Sequence, residues 1–437
     1  MATYGELPGV RIETSSVGIS NVTVGRESIL TFIGVGGDDA LATPNEPVRL
    51  DSRSTVREQF GEDSDVMVAY EQATANGADN RFMYGILVET SQEEITFDSQ
   101  SGTIETDIVP DTSTMTYSED STDGTVRFSY GDTVSAPDAS GVLSLNPITG
   151  SYQTNSGSAS MDLSYEKPLW EDAVRAARNT LDEGQFGTIA PLTYEQSAIS
   201  TLQTTLTKMR EDELKMAVGV YAAEPNTTVR DQHPGYDTES LSTRFQDDAM
   251  FSVVGASLAS RSPNQSGFGT SALGAVAGLF AGTANDEPIY DNTVLGVNEL
   301  AQEFTRADVA ALRGENFIPL RDTDGIRIRD NQSTYNQESG GGWERDLFHR
   351  QIVDIAILTT YRIARRQIGG VLDSDTVDDV QDAVTVELAE LVDDGLLQAG
   401  GQEVNTFRAS SQEIGVEVDV TPLGVAKSAT IELNILQ

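Results

Sequence analysis

Both ends of the chain read as strands, and this restricts what the rest can build. Near the start, Pro8-Gly9 is a turn, and Val10-Arg11-Ile12-Glu13 begins a short alternating segment. Near the finish, Val416, Val418 and Val420 alternate with Glu417 and Asp419. After a polar connection, Ile431, Leu433 and Ile435 alternate with Glu432 and Asn434. Alternation of period two marks a strand with one buried face. A terminal strand that stays in its own sheet closes a fold, whereas one that reaches a neighbour's sheet builds a polymer. Val10, Arg11, Ile12, Val416, Val418, Val420, Ile431, Leu433 and Ile435 are therefore the candidate residues for strand exchange.

The 437 residues leave room for two to four domains, and 38% hydrophobic residues suffice to bury cores. The charge balance is extreme: 28 basic against 69 acidic residues, a formal net charge of −41. Of the basic residues only Lys167, Lys208, Lys215 and Lys427 are lysines; the others are arginines. Acid excess with so little lysine fits a protein adapted to molar salt, as in haloarchaea; an ordinary acidic protein is the plainer alternative. At about 1 M salt the Debye length is about 3 Å, against about 10 Å at 0.1 M, so self-repulsion is screened. A basic footprint for nucleic acid is missing. The chain has no cysteine, so disulfides, Cys-zinc sites and Cys nucleophiles are excluded. No basic segment followed by an apolar run opens the sequence, and the weakly charged stretch 262–285 lacks an apolar run of membrane length, so the expectation is a soluble protein made in the cytoplasm.

Catalytic and cofactor motifs find little support. Gly34-Val35-Gly36-Gly37 follows a strand but lacks the Gly-Lys-Ser/Thr that grips phosphate, and Asp38-Asp39 would repel it, so it reads as a tight turn. His233 and His349 are the two histidines and suggest neither a triad nor a two-His metal motif. Asp322-Thr323-Asp324-Gly325 is a fragment of a calcium loop with its glycine too early. No enzyme activity, cofactor or metal is expected.

The pattern along the chain is α/β, multidomain. Residues 1–20 form an extended arm. Residues 21–90 and 167–335 form an α/β body, with strands at 28–34, 81–88, 215–222 and 250–259 and helices at 55–60, 65–75, 168–183, 194–212 and 271–281. Gly274, Gly278 and Gly282 share one face of the last of these helices, a spacing that lets another helix approach closely. Residues 91–166 are rich in Ser, Thr, Asp and Gly with Arg127 as their one basic residue, and they read as an inserted β domain with strands at 94–97, 104–109, 125–130 and 142–145. Residues 336–437 form an α+β end: a buried helix over 343–367, an amphipathic one over 376–394 capped by Ser374 or Asp375 and stopped by Gly395, then the alternating strands. Arg362, Arg365 and Arg366 share a face of the buried helix. They pair with the protein's own acids or meet an acidic partner.

This layout resembles the contractile tail sheath proteins of tailed phages and related injection systems. Pro8-Gly9-Val10-Arg11-Ile12-Glu13 is similar to the family's N-terminal motif, with Arg11 in an aromatic place; Phe32-Ile33-Gly34, Pro44-Asn45-Glu46-Pro47, Phe60-Gly61 and Asn76-Gly77 follow in the family's order. Leu312-Arg313-Gly314-Glu315-Asn316-Phe317-Ile318, Gly395-Leu396-Leu397 and Val418-Asp419-Val420-Thr421-Pro422 continue it. The family's Trp-Gly-x-Arg-Thr segment is replaced by Arg327-Ile328-Arg329, and the insertion matches nothing in it. The resemblance implies stacked hexameric rings around a tail tube, with each subunit donating its terminal strands to neighbours' C-terminal domains, and contraction by rigid-body sliding. It further implies a virion tail assembled in the host cytoplasm, with the tube, baseplate and tail terminator proteins as partners and Arg362, Arg365 and Arg366 facing the tube. The rival readings are another haloarchaeal virion or surface structural protein, or an α/β enzyme with a β insertion.

Overall fold

The structure, a computed structural model, describes residues 2–7, 10–14, 28–37, 39–104, 115–128, 134–145, 150–155, 160–193, 195–222, 225–226, 235–236, 251–254, 272–283, 288–297, 300, 304–314, 317–333, 346–366, 374–408 and 414–422. In chain order the elements are β1 (Ala2–Leu7), β2 (Val10–Thr14), β3 (Ile29–Gly34), β4 (Pro47–Arg49), α1 (Arg53–Phe60), α2 (Asp65–Ala75) and β5 (Met83–Leu87). Eight strands follow: β6 (Glu89–Phe97), β7 (Ser101–Thr103), β8 (Thr116–Glu119), β9 (Thr122–Asp123), β10 (Thr125–Phe128), β11 (Val142–Leu145), β12 (Ser151–Thr154) and β13 (Met161–Leu169). Then come α3 (Trp170–Ala176), β14 (Phe186–Pro191), α4 (Gln196–Glu211), β15 (Met216–Ala222), β16 (Pro225–Asn226), β17 (Gly235–Tyr236), β18 (Phe251–Val254), α5 (Leu273–Gly282) and α6 (Arg306–Gly314). The last described elements are β19 (Phe317–Ile318), β20 (Leu320–Asp322), β21 (Ile326–Ile328), α7 (Leu347–Arg366), α8 (Ser374–Asp393), β22 (Glu403–Arg408) and β23 (Ile414–Asp419).

The apolar runs make the centre of the body. Its sheet has the order β19-β18-β15-β14-β3-β5-β4, parallel except for β4 at the edge. Every residue of β3, β14 and β15 is buried, as expected of parallel strands covered by helices on both faces. Helices α1 and α2 start where Ser52 and Ser64 accept hydrogen bonds from the N–H groups of Thr55 and Met67, each at 3.1 Å. The tight turn expected over Gly34–Gly37 is not formed: β3 runs through Gly34, residues 35–37 are irregular, and the Gly37 N–H donates to the Phe60 carbonyl at 2.7 Å.

The insertion leaves and returns along one ribbon. β6 and β13 pair antiparallel from Glu89↔Leu169 to Phe97↔Met161. Its entry and exit are therefore adjacent, so the β3–β5 and β14–β15 pairings of the body are undisturbed. Within it, sheets β6-β13-β8-β9 and β10-β11-β12-β7 enclose Met115, Tyr117, Leu143, Leu145, Tyr152 and Leu163. Ile104 is buried in this core; the remainder of the strand expected over 104–109 lies outside the described residues.

One expected helix is shorter than the sequence suggests. Residues 168–183 do not form a continuous helix: β13 runs to Leu169 to complete its ribbon with β6, α3 occupies Trp170–Ala176, and a 3-10 turn ends at Thr180. The Thr180 hydroxyl donates to the Ala177 carbonyl at 2.8 Å and lies 2.8 Å from the buried Thr31 hydroxyl, so the chain turns extended to reach β14. Thr323–Gly325 is the turn of the β20–β21 hairpin, with Asp322 the last residue of β20.

The three glycines of α5 do what their spacing suggests. A Cβ on Gly274 would lie 2.5 Å from the Ala69 Cα, one on Gly278 2.4 Å from the Ala73 Cα, and one on Gly282 2.4 Å from the Gly77 carbonyl carbon. Helices α2 and α5 thus meet backbone to backbone, and the Gln72 side-chain oxygen accepts the Ala275 N–H at 3.2 Å across the seam. Gly278→Val is expected to cost about 1–3 kcal/mol or more by forcing the helices apart. Thermal unfolding followed by circular dichroism measures this; an unchanged melting temperature contradicts the close approach.

Candidate intersubunit interface

The last sheet gathers both ends of the chain. β22 and β23 pair antiparallel from Glu403↔Asp419 to Arg408↔Ile414. Alternation then sorts their side chains. Val416 is 1% exposed and Val404, Ile414, Val418 and Val420 are half-buried, all packed against apolar residues of α7 and α8. Glu403, Asn405, Glu417 and Asp419 face outward or lie at the rim, and the Asn405 amide donates to the Glu417 carboxylate at 2.9 Å. Across the pair, the Phe407 ring lies over Gly415: a Cβ there would be 2.4 Å from the ring's tip.

Two strands leave two edges. On the β23 edge lies β2, parallel, with Val10 opposite Ile414, Arg11 opposite Gly415, Ile12 opposite Val416 and Glu13 opposite Glu417. β1 folds back on β2, giving the order β1-β2-β23-β22. The sequence-selected Val10, Arg11 and Ile12 are thus in β2, Val416 and Val418 in β23, and Val420 just past its end. Ile431, Leu433 and Ile435 lie outside the described residues. Beyond β22 no strand is placed among the described residues; there the Thr406 N–H is taken by the Gln381 side-chain oxygen of α8 at 3.3 Å.

Helix α7 connects this sheet to the body by having two buried sides. Phe348, Ile352, Ile355, Ala356 and Ile363 join α8 and β23, while Val353, Ile357, Leu358, Tyr361 and Ala364 join Phe186, Leu214 and Met216. Asp346 caps its start, accepting the Phe348 N–H at 3.0 Å and the Asn331 amide at 2.8 Å. At its far end the arginine face is present. The Arg362 guanidinium donates to the Gly184 carbonyl at 2.8 Å, and Arg365 pairs with Glu183 at 3.0 Å and lies over the Tyr361 ring at 5.7 Å. The Tyr361 hydroxyl donates to the same Glu183 carboxylate, and burial together with that bond pushes its pKa up to about 12. Arg366 is exposed. Two of the three arginines therefore hold the turn before β14.

Sequence reasoning missed the ionic centre of this helix. Asp354, fully buried, pairs with Arg210 of α4 and lies 3.3 Å from Arg350 one turn earlier. A lone acid inside Ile352-Val353-Asp354-Ile355 was the available signal. Before the helix, buried Asp330 pairs with Arg313 at 2.5 Å and accepts from Gln332 at 2.6 Å. Removing one member of a buried ionic group leaves uncompensated charge in a dry site. Asp354→Ala is expected to destabilise the chain by about 3–5 kcal/mol. Replacing Asp354 by Leu with Arg210 and Arg350 both by Met is expected to recover much of that loss, as denaturant unfolding would register. A full loss persisting in the triple variant would contradict this.

Among the described residues no group of three or more His, Cys, Asp or Glu side chains is arranged to hold a metal ion, and no helix is long and apolar enough to cross a membrane. No protein-family model and no curated protein sequence matches the chain. Solved structures do. The anti-feeding prophage helical sheath in its contracted state matches with TM-score 0.58 and 12% identity, covering 99% of each chain. The sheath of the extracellular contractile injection system PVC, also contracted, matches with TM-score 0.59 and 11% identity over 99% of this chain and 98% of that one. A sheath tail protein from Listeria innocua matches with TM-score 0.54 and 11% identity over 92% and 96%. From the N-terminal strands to the terminal sheet, the chain has the fold of contractile sheath proteins.

Proposed function

We propose that this chain is the structural subunit of a contractile tail sheath, polymerising as stacked hexameric rings around a tail tube and contracting to drive the tube through a host envelope. The observation that carries this reading is the fold likeness over 99% of both chains, the terminal sheet included.

The sheet suggests how polymerisation would work. β2 meets β23 through main-chain hydrogen bonds, which do not depend on which copy supplies the strand. Thirteen residues, 15–27, separate β2 from the start of the body, and extended they span about 45 Å. That exceeds the roughly 22 Å radius of gyration of a globule this size, so a neighbour's β23 is within reach. Exchange of an identical element costs little, because each bond lost within a chain is regained between chains. In this reading the alternating segment at Ile431, Leu433 and Ile435 adds to the outer edge of a neighbour's β22, displacing Gln381 from the Thr406 N–H. Such head-to-tail contacts generate open helices. Rings would then slide as rigid bodies during contraction while the strand contacts hold.

The proposed partners are further copies of the chain, the tail tube, and the baseplate and tail terminator proteins. The proposed location is the tail of a virion or injection particle assembled in the host cytoplasm. The arginine end of α7, with Arg366 exposed and Arg362 and Arg365 at hand, is proposed to face an acidic tube. The lysine-poor insertion is proposed to face outward into brine. The net charge of −41 supports a haloarchaeal setting. Negative-stain microscopy of the purified protein tests the reading. Tubes or ring stacks are expected at about 3 M KCl, loosening towards 0.1 M, where the Debye length grows to about 10 Å. Persistent monomers at high salt overturn the sheath reading, and tubes indifferent to salt overturn the halophilic part alone.

A further inference from the structure

Helix α3, the turn after it and helix α4 bound an open cleft of about 520 Å³, lined by Arg175, Arg178 and Lys208, with Asp172 as its one acid. The lining itself thus carries three bases to one acid in a chain of 69 acids and 28 bases, with Glu171 and Glu213 paired to two of those bases from beside the cleft. Lys208, one of four lysines, is exposed and has no ion-pair partner among the described residues. Arg175 is engaged by Glu171 and Asp172 of its own helix at 2.5 and 2.9 Å, and Arg178 lies 3.6 Å from Glu213. Exposed pairs of this kind contribute little and are easily exchanged for a better partner.

The rest of the wall accepts hydrogen bonds. Thr204 and Thr205 direct their hydroxyl hydrogens to the carbonyls of Ser200 and Thr201, at 3.1 and 2.7 Å, which leaves oxygen lone pairs for the cleft. The Asn45 side-chain oxygen is buried without a hydrogen-bond partner among the described residues. A free phosphate would meet the cations but also this row of oxygens. A protein segment brings carboxylates for the first and N–H groups for the second.

The chain itself carries a matching segment. Helix α8 holds seven acids and no base. Its inner stripe, Val380, Val384, Leu388 and Leu391, is buried, so Asp375, Asp378, Asp379 and Asp382 stand exposed in one stripe at i, i+3, i+4 and i+7. Its first turn has N–H groups without helical acceptors. Within one chain α8 packs on α7 and β22. We propose that the α3–α4 cleft receives the acidic first half of α8 from a second copy of this chain, a lateral contact distinct from strand exchange. This rests on the sheath reading, since it concerns how subunits meet.

Carbodiimide joins amines to carboxylates only when they touch, and four lysines make the products easy to assign. Mixed ¹⁴N and ¹⁵N subunits, assembled at high salt and treated with carbodiimide, are expected to give mixed-isotope links from Lys208 to the 375–382 segment. Lys208→Glu is expected to raise the protein concentration needed for assembly about tenfold, with Asp378→Lys and Asp379→Lys restoring it in the combined variant. Circular dichroism confirms that each variant is folded. Tubes that form without such links, or at an unchanged concentration in Lys208→Glu, overturn the contact and leave the sheath reading standing. A wild-type protein that never assembles overturns the sheath reading, and the contact with it.

Discussion

Helix α7 is the element on which the two halves of the molecule depend. It is dry on both sides, shared between the core under the terminal sheet and the core beside β14 and β15. Its middle turns have no solvent face on which to place a charge, and its exposed arginines stand only at the far end, yet Asp354 sits at the buried centre. The acid is held there by Arg210 from the body and Arg350 from its own helix. The arrangement gives little net stability compared with an apolar core, but it specifies one register of α7 against α4, because any slip leaves charge unpaired. A second set of contacts, Tyr361 and Arg365 on Glu183 and Arg362 on the Gly184 carbonyl, fixes the other end. A strand pulling on β23 would load Val416, then α7, then the body, through packed contacts without a hinge of loose loop between them. A sheath subunit moving as a rigid body would need such a path.

Charge is handled differently inside and outside. The buried and half-buried ion pairs described above use arginine, whose planar fork engages carboxylates more completely than lysine can. The surface keeps its acids, and α8 shows the extreme case: a buried valine and leucine stripe beneath a face of exposed carboxylates without an ion-pair partner among the described residues. That face costs little in concentrated salt and is repulsive in dilute buffer. In the proposed polymer it would have to be matched by the few basic surfaces available, and the α3–α4 cleft is one of them.

Much of this was readable in the sequence, for physical reasons that differ by element. α2 and β11 lie at the expected residues because a serine cap or a flanking turn marks them. α8 was legible from its 3.6-residue stripe and from Gly395, whose positive φ of 80° lets the Leu396 N–H return to the Leu391 carbonyl. The alternation at Val10–Ile12 and Val416–Val418 identified strands, but no local pattern could reveal that Ile12 stands opposite Val416, since a parallel pairing carries no turn to betray it. The helix expected over 168–183 failed because β6, some 80 residues earlier in the chain, pairs with β13 as far as Pro168↔Thr90 and Leu169↔Glu89 and overrides helix propensity. The arginine face of α7 was visible as spacing. Its engagement with Glu183, some 180 residues earlier in the chain, was not.

In the proposed polymer β2 leaves its own β23 for a neighbour's when subunits assemble. Glu13 and Glu417 stand opposite each other in the register, Glu417 is exposed, and the chain has no cysteine of its own. Subunits carrying Glu13→Cys can therefore be mixed with subunits carrying Glu417→Cys, assembled at high salt and oxidised. Disulfide-linked pairs of the two variants, abundant in tubes and absent from dilute monomer, are the predicted result. Tubes that form normally with no such pairs, while a chain bearing both cysteines closes its own disulfide inside those tubes, would contradict it.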